Sequence, residues 1–274
     1  MYSEGYVRLI LALAPFVVCL ALALDPYWKR RSLWLGCALL FSASVLLPQA
    51  RIWACLPWLA MTLALAFSSL RRFVRNPHLQ LPELSILAST LYLPVGGVWA
   101  LFDQTNFQPL GFSGLIVLLT GVHFHYAGFA LPRLTGLWLT QQPQKVLFKT
   151  ATWGVIAGVP LVAIGITTSQ LSMPAWFEVA SVTTLASSAL IVSFGQAVWS
   201  IRAEIPWLAR ALFGLGGLCL AAGMVLALIY GWRSVYPVTW ATIPAMYAVH
   251  GTLNSLGFCL PGFLGWHLSQ KVGG

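Results

Sequence analysis

Charge is what this sequence has least of. Asp, Glu, Lys and Arg together make up 8% of the chain, against roughly 25% in a soluble globular domain, and only six of those residues are acidic. An ordinary soluble enzyme with a solvated surface is excluded on that ground. No paired carboxylates emerge, and no GxSxG, HExxH or Walker sequence occurs, so the common hydrolase and nucleotide-driven classes lack their signatures. The cysteines Cys19, Cys37, Cys55, Cys219 and Cys259 form no CxxC or other metal-ligand spacing, and no metal site is expected. A basic start and a small-residue cleavage site are missing from the first apolar run, before Asp25, so that run reads as a first span rather than a cleavable leader.

What is present is apolar: 59% of the 274 residues are hydrophobic. A membrane span needs about twenty mostly apolar residues, and the chain offers nine such stretches, near 6–24, 33–50, 52–70, 83–102, 109–131, 147–168, 175–199, 207–231 and 237–264. Spans two and three are separated only by the short connection Pro48 to Arg51, which predicts a tight helical hairpin. Along a nine-span path, Lys29, Arg30, Arg31, Arg71, Arg72, Arg75, Arg133, Lys145, Lys149, Arg202, Arg210 and Lys271 fall on one side, and only Arg8, Arg51 and Arg233 on the other. That bias predicts an outside N-terminus and a cytoplasmic C-terminus. The net charge of +9 is therefore topological; the basic residues are scattered between apolar runs without a patch or motif, and no nucleic-acid partner is expected. Trp28, Trp53, Trp58, Trp207, Trp232 and Trp240, near span ends, read as interfacial anchors.

The sequence also repeats itself. Leu91-x-Leu93-x-x-Gly96-x-Val98-x-Ala100-Leu101 recurs as Leu218-x-Leu220-x-x-Gly223-x-Val225-x-Ala227-Leu228 at an offset of 127, an offset shared by Val122-His123 and Val249-His250. Pro109 and Pro237 are 128 apart, and Gly128-Phe129-x-Leu131-Pro132 recurs as Gly257-Phe258-x-Leu260-Pro261 at 129. The expected fold is an all-α polytopic transmembrane bundle, one integral membrane domain over 1–274, with a leading span (6–24) and two parallel four-span repeats (33–131 and 147–264). Parallel repeats related by an axis along the membrane normal place binding sites where the units meet.

Both repeats carry histidine near their ends. Ionisable side chains at membrane depth are costly and mark functional sites by default, and His123 and His250 each lie about 20 Å along the helix from the proline that opens their span. On a regular helix His123 and His125 are about 200° apart. His123 then shares a face with Thr120 and Tyr126, whereas His125 shares one with Gly121, Gly128 and Phe129. On the ninth span Tyr247, His250 and Asn254 form a polar stripe. The two repeat frames pair either His123 with His250 or His125 with Asn254, and both hold only if one helix carries a bulge, which Gly121, Gly128, Gly251 and Gly257 would permit. The arrangement favoured is His125, His250 and Asn254 facing a common interior, with His123 bonded inside its own unit; the alternative is histidines that simply fasten spans together. Glu83, after Pro82, suits the first turn of span four and is otherwise the chain's candidate proton site. Glu178 is placed similarly on span seven. His78 and His267 read as solvated residues at span ends.

The string His123-Phe124-His125-Tyr126-Ala127-Gly128-Phe129, in an all-helical membrane chain, resembles the YndJ-like family of bacterial membrane proteins, with the span layout extending the likeness over most of the chain. That resemblance implies a bacterial cytoplasmic membrane, weight on residues 123 to 129, and a transporter label that specifies neither substrate nor mechanism.

Three functions are compatible with these residues. The first is a carrier for a small molecule, with His123, His125, Tyr126, Tyr247, His250 and Asn254 as substrate-binding or proton-exchange candidates alongside Glu83; a histidine near neutrality can exchange a proton. The second is a membrane-embedded enzyme acting on an isoprenoid or lipid, with His as general acid or base. The third is haem held by two imidazoles. The carrier reading needs no cofactor, only membrane lipid and a small-molecule or apolar substrate as partners.

Overall fold

The computed structural model describes residues 4–25, 31–47, 52–77, 79–142 and 145–270. His78, Trp28, Arg51 and the connection from Pro48 to Arg51 expected to form a tight hairpin lie outside the described residues. Among the described residues every regular element is helical, and they follow nine paths: α1 Glu4–Leu22, α2 Arg31–Leu46, α3 Leu56–Arg75, α4 Leu81–Gln104, a fifth path from Gly114 to Leu139, α7 Val146–Gln170, α8 Trp176–Arg202, α9 Trp207–Gly231 and a ninth path from Ile243 to Gln270. Among the described residues six helices (α1, α4, the fifth path, α7, α8 and α9) are long and apolar enough to cross a membrane. The α2 helix is shorter, and the apolar run of α3 ends in Arg71, Arg72 and Arg75.

The fifth path is α5 (Gly114–His123), a π-helical segment (Phe124–Ala130) and α6 (Leu131–Leu139). The ninth is a short α10 (Ile243–Ala245), π-helical segments over Met246–His250 and Leu253–Cys259, and α11 (Leu260–Gln270). The chain divides into two compact units, 1–133 and 134–274, and the division falls inside the fifth path.

Span five was expected to close at 131 and span nine at 264, and the helices continue to Leu139 and Gln270, each passing through a proline, Pro132 or Pro261. A proline inside a regular helix removes an N–H and its ring collides with the carbonyl four residues back. Here the turn just before each proline is widened: the N–H of Leu131 bonds the carbonyl of Tyr126, and that of Leu260 the carbonyl of Ser255, each five residues back. The wider turn lets the helix pass through the proline.

In the first unit α1 is the most enclosed candidate span, 61% of its apolar window being buried. Arg8 at its start makes a two-point ion pair with Asp103 at the end of α4, 2.7 and 3.1 Å. Asp25, past its other end, approaches the buried Arg133 at 4.0 Å. In the second unit α7 and α8 close on a small-residue seam. A Cβ on Gly154 or Gly165 would collide with Ser188 or Ser181, and one on Gly158 would lie 2.9 Å from the Leu185 backbone, the close approach that replaces hydrophobic driving force between membrane helices. Glu178, in the first turn of α8, pairs with Arg233 at 2.7 Å.

Candidate functional site

His125 is the most enclosed of the candidates, 1% exposed in the π-helical turn of path five. Its Nδ1 lies 2.7 Å from the carbonyl of Gly121, and its Nε2 receives the indole N–H of Trp58 at 3.0 Å. A carbonyl only accepts, so Nδ1 carries the proton and Nε2 offers its lone pair to the indole. Trp58 is fully buried, its indole edge to edge with the imidazole at 19° between planes and 6.2 Å between centroids, with Phe41 beside both rings. The interfacial role read for Trp58 is therefore corrected: α3 turns only Trp58 and Thr62 inward, and the indole is the partner His125 requires. Trp53, Trp207 and Trp240 are exposed, as anchors would be.

The imidazole also fixes what its neighbour on α4 can be. A Cβ on Gly96 would lie 2.6 Å from His125 Nδ1, so only glycine leaves the ring its seat. Tyr126 is buried and donates its hydroxyl to the carbonyl of Ile10 on α1, 2.9 Å. His123 is half-buried, its ring edge-on to Phe124 at 5.8 Å. Just beyond the widened turn, Ser85 on α4 donates to the carbonyl of Pro132 at 2.7 Å.

The second unit carries a looser version. His250 Nδ1 lies 2.7 Å from the carbonyl of Gly223 on α9, and as in His125 a carbonyl takes the Nδ1 proton. The amide nitrogen of Asn254, one turn along the same path, is 3.2 Å from Nδ1 and 3.1 Å from Nε2 and so lies over the ring face, and His250 and Asn254 are only partly buried. Asn254 sits on Gly223, where a Cβ would lie 2.8 Å from its Oδ1, and that Oδ1 is a buried acceptor with no hydrogen-bond donor. Tyr247 is buried in the preceding π-helical turn. The stripe expected on a regular helix is thus carried on a backbone widened twice, and His250 and Asn254 meet on it.

His125 and His250 belong to different units, and the bonds above hold each ring inside its own. Ligation of haem by His125 would require breaking one of its two hydrogen bonds. Glu83 is exposed and closes a capping box, accepting the backbone N–H of Gln80 at 2.7 Å. Among the described residues no group of three His, Cys, Asp or Glu side chains is placed to hold a metal ion.

Sequence reasoning missed Trp58 as the partner of His125, 67 residues away; Trp58 and Thr62, four apart, are the buried pair of α3, and nothing in the sequence sets them apart from its other apolar residues. It had found the seats Gly96 and Gly223, as members of the repeated pattern, without their role.

Helices of this length and apolarity, fastened by buried polar groups, define a polytopic helical membrane protein. The YndJ-like protein family model matches residues 8–258, and the chain belongs to that family. It is also 27% identical over 234 residues to the uncharacterized membrane protein YndJ of Bacillus subtilis (strain 168), covering 85% of this chain and 41% of that protein. The chain thus spans less than half the length of this relative. No solved structure matches it.

Proposed function

We propose that this YndJ-like chain is a carrier for a small molecule in the bacterial cytoplasmic membrane, and that the second unit's ninth path handles the solute through His250 and Asn254. The observation that carries this reading is the buried Oδ1 of Asn254, an acceptor without a donor on a path widened at two places. Irregular backbone at membrane depth is tolerated where it is buried in protein or lines a polar path, and π-helical turns concentrate at functional sites. His125, with both nitrogens engaged and 1% exposure, serves in this reading as a fixed fastener of α3 to path five.

Internal duplication is part of the proposal. The segments Phe124–Ala130 and Leu253–Cys259 are both seven residues long, both precede Leu-Pro, and both close with a bond five residues back. That alignment has an offset of 129 and pairs His125 with Asn254, each seated on its glycine, Gly96 or Gly223. The widened turn Met246–His250, without counterpart in path five, adds the residue that shifts the frame from 128 at Pro109 and Pro237 to 129. On this frame His250 corresponds to Gly121. The carbonyl that fastens His125 is answered in the second unit by the imidazole against which Asn254 lies.

The test is uptake by sealed vesicles containing the purified chain, screened with labelled amino acids, sugars, polyols and organic acids. The expected result is saturable entry of one class, reduced about tenfold by Asn254→Ala or His250→Ala, the cost of one hydrogen bond to a polar solute. Entry no faster than in protein-free vesicles for every class, or undiminished entry with Asn254→Ala, would overturn the reading.

A further inference from the structure

We infer that the arginine-tipped outer face of α3 is a binding site for an anionic phospholipid, acyl chain on the helix and phosphate at Arg71 and Arg75. Of the 20 residues of α3 only Trp58 and Thr62 are buried and ten are exposed, so one face of the helix has no protein against it. The uncovered surface is ordered. Leu63, Phe67, Leu70 and Val74, at 51, 66, 43 and 70% exposure, follow the spacing i, i+4, i+7, i+11 of a single apolar stripe. Leu63, Phe67, Arg71 and Arg75 follow i, i+4, i+8, i+12, one ridge along the helix. At 1.5 Å per residue the step from Leu63 to Arg71 is about 12 Å, apolar to one end and cationic beyond it.

Charge complementarity selects the occupant. No acidic residue occurs between Leu56 and Arg75, Arg71 and Arg75 are exposed, and the nearest following carboxylate, Glu83, is engaged at the backbone N–H of Gln80. Two guanidinium groups one turn apart suit a phosphate diester, to which arginine offers several donors at once, and the stripe below them suits an acyl chain. Topology-setting arginines need only lie at the correct interface; here they also end an exposed apolar ridge, which a charge bias alone does not require.

The experiment titrates the full chain, delipidated in a neutral detergent, with phosphatidylglycerol, phosphatidylcholine or inorganic phosphate. Retained lipid is counted by native mass spectrometry and the melting temperature is followed in parallel. Phosphatidylglycerol is expected to bind saturably and about thirtyfold more tightly than phosphatidylcholine, the ratio for two basic residues at an anionic surface, while inorganic phosphate has no effect. The R71Q/R75Q double variant should lose the preference, whereas K149Q/R202Q, which removes the same charge from α7 and α8, should keep it. Equal affinity of the unaltered chain for the two lipids overturns the proposal whether or not the variant folds. So does an R71Q/R75Q chain that keeps the preference, a preference lost equally in both double variants, phosphate acting as well as the lipid, or a second copy of the chain covering α3 in place of lipid.

Discussion

At the residue scale, the chain solves one problem twice: how to keep an imidazole among apolar helices. For His125 the answer is complete, a carbonyl at one nitrogen and an indole at the other. Trp58→Phe keeps the ring volume but leaves Nε2 without its donor. It is expected to lower stability by about 1–2 kcal/mol, the value of a polar contact between membrane helices, read as a fall in melting temperature, with the His125 Nε2 nitrogen resonance moving as its hydrogen bond is lost. Gly96→Ala acts on the same ring from the other side, since the added carbon would meet Nδ1 at 2.6 Å. An overpacking cost of about 1–3 kcal/mol is expected, and combined with Trp58→Phe the losses should fall short of additive because both act through His125; full additivity in the double variant would refute that coupling. The sequence made His125 conspicuous but not its partner. A tryptophan near a span end reads as an anchor, and its true direction depends on which narrow face of α3 turns inward, a tertiary fact.

At the scale of elements, composition and length located the paths well: α9 was expected over 207–231 and occupies Trp207–Gly231. Errors gathered where the backbone departs from the α-helix. A proline rule that ends helices placed the close of span five at 131, and a fixed turn of 3.6 residues placed the polar stripes, because nothing in hydropathy announces a turn closed five residues back. A π-helical turn behaves as one residue inserted into a regular helix, so removing one residue should return it to α geometry with the flanking faces in register. Deletion of Ala127 is therefore expected to leave the chain folded with a modest fall in melting temperature. Deletion of Ala189, fully buried in the middle of α8, turns every later side chain of that helix by about 100° and is expected to prevent folding. Equal behaviour of the two deletions, by size-exclusion profile and thermal melt, would contradict this account of the widened turn.

At the scale of the molecule, the class was legible because lipid imposes simple rules, long apolar runs and segregated charge, that survive in any sequence obeying them. Orientation is the testable remainder. On the charge bias, a cysteine introduced at Glu4 in a chain otherwise free of cysteine should react with an impermeant maleimide added to intact cells. One at Gln141 should react only after lysis, and the reverse pattern would invert the assignment. The acidic side chains carry a broader consequence. Asp103 and Glu178 are tied to Arg8 and Arg233, Asp25 lies by Arg133, Glu83 caps a helix, and Glu4 and Glu204 are exposed at helix ends. Four of the six carboxylates are thus held at an arginine or a helix end and two lie exposed at helix ends, so in the proposed carrier a proton coupled to the solute would ride on an imidazole such as that of His250. Uphill entry into vesicles bearing a proton gradient, abolished by an uncoupler and by His250→Gln, would register that coupling.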